Sequence, residues 1–399
     1  MQLSSRVLQL KTSPVRKLVP YAEKALENGR TIYHLNIGQP DIETPEEFYE
    51  AINNFKEKTL KYSHSAGLVE LREEIQKYYK DLNLDYGLDE ILVTVGGSEA
   101  LLFTLISLFD EGDEILIPEP YYANYNSFYD LLNIKVVPIK TKGENGFHLP
   151  SKEEVQKLVT SRTKAIMFSN PGNPTGIVYR KDELDMLNEI SKENNLFIIS
   201  DEVYREFTYG ENEAISFGSY KDAEDRVIII DSISKRYSAC GARIGAIISK
   251  NKEFMNSIYK LCQARLSAPT LDMVGAAALY RINKSYFVPV KAEYQKRRDI
   301  LFTELSTMEG VRAAEPEGAF YSVVKLPVEN AEEFCIWLLE HFHIENETVM
   351  LTPAEGFYQT EGLGKDEVRI SYALKEEALK KSMNILREGL IKYRTIIEK

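Results

Sequence analysis

The chain has 399 residues, 44% hydrophobic and 28% charged, which suits one large globular unit with a satellite or two comparable ones. Its 61 acidic against 49 basic residues leave a net charge of −12, which argues against nucleic acid as the main partner. With no apolar run near the ~20 residues of a membrane span, no basic-plus-apolar leader in Met1–Val7, and only scattered Cys240, Cys262 and Cys335, a cytoplasmic protein without membrane or metal partners is predicted.

The first 45 residues or so show no strand pattern and no core of their own, so they are expected to pack on the C-terminal part or on a partner subunit. From Pro45 to Arg281, helical patterns alternate with short apolar runs. Seven strands are predicted, at Ile91–Val95, Glu114–Ile117, Lys135–Pro138, Ala165–Ser169, Leu196–Ser200, Val227–Asp231 and Ile244–Ser249. Most are continuous Ile/Val/Leu/Phe runs, the pattern of strands buried on both faces. Amphipathic helices such as Glu70–Leu82, Ser98–Phe109 and Lys181–Asn194 separate them. This alternation predicts an α/β fold with a mostly parallel sheet, whose ligands bind at the carboxyl ends of strands. Asp272–Ser306 then reads as one long helical stretch. Strands at Ala319–Val324 and Glu367–Tyr372, with helices at Ala331–His341 and Lys375–Glu398, read as a smaller α+β domain. The predicted division is a large domain at 46–281, and a small domain made of 1–45 with 282–399.

Four motifs fall at the predicted strand ends. In Val93-Thr-Val-Gly-Gly-Ser-Glu-Ala-Leu-Leu-Phe, a strand passes through a glycine pair into a helix. Gly97 and Ser98 there either offer amides and a hydroxyl to an anion, or form a tight turn with Ser98 as N-cap. Ser169-Asn-Pro-Gly-Asn-Pro-Thr-Gly176 is a proline-stiffened turn that presents Asn173. Phe197-Ile-Ile-Ser-Asp-Glu-Val-Tyr204 ends a core strand with Asp201, either an ionised partner for a cationic ring nitrogen or a cap for the next element; Tyr204 follows three residues later. Asp231-Ser-Ile-Ser-Lys-Arg-Tyr-Ser-Ala-Cys-Gly-Ala-Arg-Ile-Gly245 places Lys235 between hydroxyls, with Arg243 eight residues on. Hydroxyls and a guanidinium are the groups that hold a phosphate, and a lysine whose pKa is lowered by desolvation and nearby cations becomes a nucleophile.

Taken together, these motifs resemble those of the fold-type I, pyridoxal-phosphate-dependent aminotransferases of class I/II, aspartate aminotransferase-like members included. The resemblance runs from Gly38-Gln-Pro-Asp-Ile-Glu-Thr-Pro45 to Val368-Arg-Ile-Ser-Tyr-Ala373. It implies a large domain with a seven-stranded sheet, pyridoxal 5′-phosphate as cofactor, and a homodimer with shared active sites. It further implies Lys235 as the Schiff-base lysine and proton carrier, Asp201 as the partner of the pyridinium nitrogen, and Asn173 and Tyr204 as donors to the ring's phenolic oxygen. Ser232, Ser234, Arg243, Gly97 and Ser98 match the phosphate cup, Tyr122 the aromatic that stacks on the ring, and Tyr62 the tyrosine given to the neighbouring subunit's phosphate. Arg369 resembles the arginine that grips the substrate α-carboxylate, with Gly38 and Asn173 beside it.

The substrate side chain is read less directly. Arg265, in Gln263-Ala-Arg-Leu-Ser-Ala-Pro, resembles the arginine that some aspartate aminotransferases donate across the dimer; its other reading is a loop arginine paired with an acid such as Asp272. Ser98 stands where some bacterial members carry a lysine for acidic side chains. Tyr121, Tyr122 and Tyr125 would equally suit an aromatic or aliphatic donor. The expected activity is amino-group transfer from an L-amino acid to a 2-oxo acid, with aspartate and 2-oxoglutarate as the first pair. An aromatic- or alanine-type transaminase, or a C–S lyase of the same fold, is the alternative.

Overall fold

The computed structural model describes residues 3–8, 10 and 12–397; Met1 and Gln2 of the leader reading, and Glu398 at the expected end of the last helix, lie outside these. The strands are β1 (Thr31–His34), β2 (Ile91–Val95), β3 (Glu114–Glu119), β4 (Lys135–Lys140), β5 (Thr163–Ser169), β6 (Phe197–Asp201), β7 (Val227–Ser232), β8 (Ile244–Ile248), β9 (Arg312–Ala313), β10 (Tyr321–Lys325), β11 (Glu347–Met350), β12 (Thr352–Pro353) and β13 (Glu367–Ser371). Strands β2 to β8 form one seven-stranded sheet in the order β2-β8-β7-β6-β5-β3-β4. β8 alone runs against the other six strands, so the mostly parallel α/β sheet expected from the alternation is what forms.

The apolar runs are continuous because both faces of the sheet are covered. Ile198, Ile229 and Ile248 pack with Leu71 and Ile75 of helix Val69–Lys80 and with Leu184 and Leu187 of helix Lys181–Asn194. One residue away in each strand, Ile199, Ile228 and Ile247 pack with Leu101 and Leu105 of helix Gly96–Leu108 and with Ile258 of helix Lys252–Arg265. The period of two along each strand thus feeds two separate layers. A third apolar core, from Leu18 and Ile32 through Phe334 to Leu390, forms around the antiparallel sheet β12-β13-β10-β9.

Two readings of the sequence are corrected here. The N-terminal segment does contain a strand: β1 pairs in parallel with β11, Thr31 opposite Glu347 and His34 opposite Met350. Thr-Ile-Tyr-His is short and has a single aliphatic residue, and its partner lies more than 300 residues away, so no local pattern marks it. The pairing docks this segment on the C-terminal part, as expected. Asp272–Ser306 is not one helix but two, Thr270–Tyr280 and Phe287–Ser306, parted by a 3-10 turn at Lys284–Tyr286. The Asn283 side chain accepts the Ser285 amide and caps that turn, 2.9 Å away. No helix among the described residues is long and apolar enough to cross a membrane.

The residue after Lys235 anchors its segment in the core. Arg236, 1% exposed at its side chain, places Nη2 2.8 Å from Oδ1 of Asp231, itself fully buried. Its guanidinium also lies 4.1 Å from the Tyr78 ring centroid. Removing one member leaves the other charge buried and uncompensated, which costs far more than the pair contributes. Arg236→Met is therefore expected to lower unfolding stability by about 3–5 kcal/mol in chemical denaturation.

Candidate active site

The sheet topology decides which residues meet. Strands β2, β5, β6 and β7 end at one edge, and β8, running the opposite way, begins there just after Arg243. Each expected strand-end residue is thereby delivered to this edge, beside a cavity of about 560 Å³. Asp201 and Ser232 are the last residues of β6 and β7 rather than the first beyond them, because their backbones still pair with the neighbouring strand.

Lys235 lines the cavity from the short helix Ile233–Arg236. Its Nζ donates to the Gly38 carbonyl at 2.7 Å and sits 3.7 Å from Cys240 Sγ. The expectation that its pKa would be lowered is not met in this arrangement. Burial works against the ammonium, but Tyr321, Cys240 and Tyr122 around it outweigh burial and hold the group above the ordinary lysine range. A side chain at Gly38 would force Tyr321 to move, since a Cβ there would fall 1.8 Å from Tyr321 Oη.

One side of the cavity is built for an anion. Ser232 Oγ and Ser234 Oγ are 2.8 Å apart, and Ser234 also donates its amide to Ser232. Arg243, at φ 54°, sends Nη1 to the Cys240 carbonyl at 2.9 Å. Its guanidinium packs so closely on Gly96 that a Cβ there would lie 2.4 Å from Nη2; Gly96, at φ +72°, is where the turn demands glycine. Helix Gly96–Leu108 starts at this residue, so Gly97 and Ser98 fall in its first turn, among the free amides. Ser98 is not the N-cap: that position is Val95, without a side-chain cap, and its amide is taken by Glu99 at 2.8 Å.

Asp201, which lines the same cavity, is buried and accepts from Tyr125 Oη and, at 3.3 Å, from the Val203 amide. It caps no helix. Burial raises its carboxyl to about 6, despite the two hydrogen bonds and Lys235, which pull it down. Asn173 links two further groups: its Nδ2 is 3.5 Å from Tyr204 Oη, and its Oδ1 accepts from Arg369 Nη1 at 3.3 Å. Arg369, 2% exposed, also donates Nη2 to the Asn36 carbonyl at 2.6 Å, and its Nε has no hydrogen-bond partner among the described residues. No acid pairs with it among them. An unpaired buried guanidinium of this kind is suited to a carboxylate.

Tyr122 lines the cavity, its hydroxyl held by Asn124 Nδ2 at 2.7 Å. Tyr121 and Tyr125 form a buried stacked pair; Tyr125 lines the cavity and bonds Asp201, whereas Tyr121 bonds Asn126 and lies outside the lining. Two expected residues are not brought in. Tyr62 is 80% exposed and lies outside the cavity lining. Arg265 pairs with Glu99 at 2.7 Å and with the carbonyls of Ser65 and Val93, so the acid it meets is Glu99 and not Asp272. Sequence reasoning missed Tyr321, whose hydroxyl is 2.9 Å from Tyr204 Oη and 3.3 Å from the Gly38 carbonyl, and the buried Asn36; neither sits in a motif.

These groups fit pyridoxal phosphate. A buried carboxyl held high by desolvation is relieved by a cation, which a protonated ring nitrogen provides, and the serine–Arg243–helix corner suits the phosphate. A lysine, an acid and an anion corner on the carboxyl edge of such a sheet define an enzyme of the fold-type I, pyridoxal-phosphate class. The chain belongs to the family described as aminotransferase class I and II, which matches residues 30–386. It is 30% identical to an aspartate aminotransferase of Bacillus subtilis over the full length of both chains. The Thermus thermophilus aspartate aminotransferase solved with maleate superposes at TM-score 0.88 with 29% identity, covering 98% of this chain and 100% of that one. A Pyrococcus furiosus alanine aminotransferase reaches 0.90 with 31% identity, with the same coverage. The chain is thus a transferase that uses pyridoxal phosphate to move amino groups from amino acids to 2-oxo acids.

Proposed function

We propose that the donor is a dicarboxylic amino acid, L-aspartate first, with 2-oxoglutarate as acceptor. The support for the dicarboxylic donor is the run of full-length relatives named as aspartate aminotransferases; that the site takes an amino acid at all is supported by the unpaired Arg369 guanidinium, which shares a single cavity with Lys235 and Asp201.

In this reading Arg369 binds the α-carboxylate through two parallel donors and so orients the α-carbon. Lys235 would be the covalent anchor, and its Nζ, once free, would take up the proton from the substrate α-carbon. Asp201 would hold the proton on the ring nitrogen, Asn173 and Tyr204 would hydrogen-bond the phenolic oxygen, and Tyr122 would pack against the ring. Ser232, Ser234, Arg243, Gly97 and Ser98 hold the phosphate. Bound there, the cofactor supplies an electron sink for the α-carbon and a carrier for the amino group.

The exposed Tyr62 is read as a residue given to a second copy's phosphate, which makes the working unit a homodimer of a cytoplasmic enzyme. Its two domains are taken as 46–281, and 1–45 with 282–399; the apolar cores support this division in the main, with Tyr204, Phe207 and Tyr209 of the large domain packed into the core of the small one.

The solved alanine aminotransferase supports a second reading, a monocarboxylic donor. Mixing the holoenzyme with a panel of single amino acids separates the two. Aspartate and glutamate are expected to bleach the cofactor's visible band at least about tenfold more efficiently than alanine or tyrosine, and 2-oxoglutarate to restore it. Preference for alanine or tyrosine would reject the dicarboxylate reading. Release of pyruvate and ammonia with no need for an oxo acid would mark a lyase.

A further inference from the structure

Four cations line the cavity: Lys235, Arg243, Arg369 and Arg16. The first three are buried or half-buried, and each donates a hydrogen bond to a backbone carbonyl. Arg16 is different. It is exposed, and its guanidinium has no ion pair or hydrogen bond among the described residues.

Its backbone is nonetheless well fixed. The turn at Ser13–Leu18 closes through the Arg16 amide on the Ser13 carbonyl at 2.9 Å, Lys17 pairs with Glu332 at 2.6 Å, and Leu18 is 1% exposed. This strap is tied to both working walls of the cavity. Ser13 Oγ donates to Asn124 Oδ1 at 3.1 Å, and Asn124 in turn holds the Tyr122 hydroxyl. The Val15 carbonyl accepts from Asn36 Nδ2 at 3.4 Å, and the Asn36 carbonyl holds Arg369. A free guanidinium is therefore carried on a fixed strap that lines the same cavity as the carboxylate clamp.

We propose that Arg16 recognises the second carboxylate of a dicarboxylic substrate while Arg369 holds the first. The proposal rests on the dicarboxylate reading above and names the residue that reading lacks, since Arg265 is committed to Glu99 within its own subunit. A long, exposed side chain also suits the chemistry. The two half-reactions present acids of different chain length, and a flexible cation follows both, whereas a buried one would fit only one.

Succinate, a dicarboxylate with no amino group, tests the point by calorimetry on the holoenzyme, with propionate as its single-carboxylate counterpart. Arg16→Ala is expected to weaken succinate about three- to tenfold, the range of a partly exposed charge pair, and to raise the ratio of the aspartate KM to the alanine KM by a similar factor. Arg16→Lys should recover most of the loss, and added salt should weaken succinate in the wild type more than in Arg16→Ala. If succinate binds Arg16→Ala as tightly as wild type while wild type still prefers aspartate, Arg16 is the wrong residue and the donor reading stands. If Arg265→Ala is the variant that loses succinate, the second carboxylate is held there, and the Arg16 assignment is again wrong. If wild type binds succinate no better than propionate and prefers alanine, both proposals fail.

Discussion

Lys235→Ala is expected to lower transamination by about 10⁴-fold or more with every donor, because it removes both the anchor and the only lysine amine lining the cavity among the described residues. The other cations of the cavity are guanidiniums, which do not give up a proton near neutral pH. The fold should survive. Lys235 is half-buried, and its Nζ makes one close hydrogen bond, to Gly38. The segment is held instead by Arg236 and Asp231 beneath it. Cofactor should therefore still bind through the phosphate corner, but without covalent attachment. Borohydride treatment followed by peptide mass analysis would show the cofactor mass on the Lys235 peptide of the wild type and none on the variant. Retained turnover, or attachment at another lysine, would refute the role given to Lys235. A small exogenous amine that partly restores proton transfer would point to the missing base rather than to misfolding.

How much of this site could be read from the chain depends on the distance between the partners. Lys235, Asp201, Asn173 and the glycine-led helix start were legible because each ends a buried strand, and a mostly parallel sheet delivers such ends to one edge. The finer geometry was not. Gly97 was the glycine singled out, yet Gly96 is the one pressed against Arg243. Ser98 reads locally as an N-cap, but β2 hands over to the helix two residues earlier. Tyr125, 76 residues from Asp201, and Tyr321, 117 residues from Tyr204, enter the site through the packing of whole elements. No spacing rule connects them. The same holds for Arg265, whose partner Glu99 is 166 residues away, and for β1, which becomes a strand only against β11.

Asp201→Asn should cost about 100- to 1,000-fold in turnover, the usual effect of removing one preorganised charge from a buried site. The amide is nearly the same size and can still meet Tyr125 and the Val203 amide, so packing is preserved; what is lost is the negative charge that keeps the ring nitrogen protonated. The cofactor-free protein offers a second readout. Its Asp201 carboxyl is raised to about 6 by burial, so below that pH the neutral form grows and the charge that would meet the ring cation disappears. Cofactor affinity in the wild type should accordingly weaken as pH falls from 7 through about 6 toward 5, as the carboxyl takes up its proton. The asparagine variant has no such group to titrate. Its affinity should start lower at pH 7 and lack this acid limb, so the two proteins converge as the wild-type carboxyl becomes neutral. Parallel pH profiles for the two proteins would show that Asp201 does not face the ring nitrogen. Asp201→Glu then separates charge from position, since it keeps the carboxylate while moving it by one methylene. Partial recovery of turnover together with the acid limb would locate the effect in the charge.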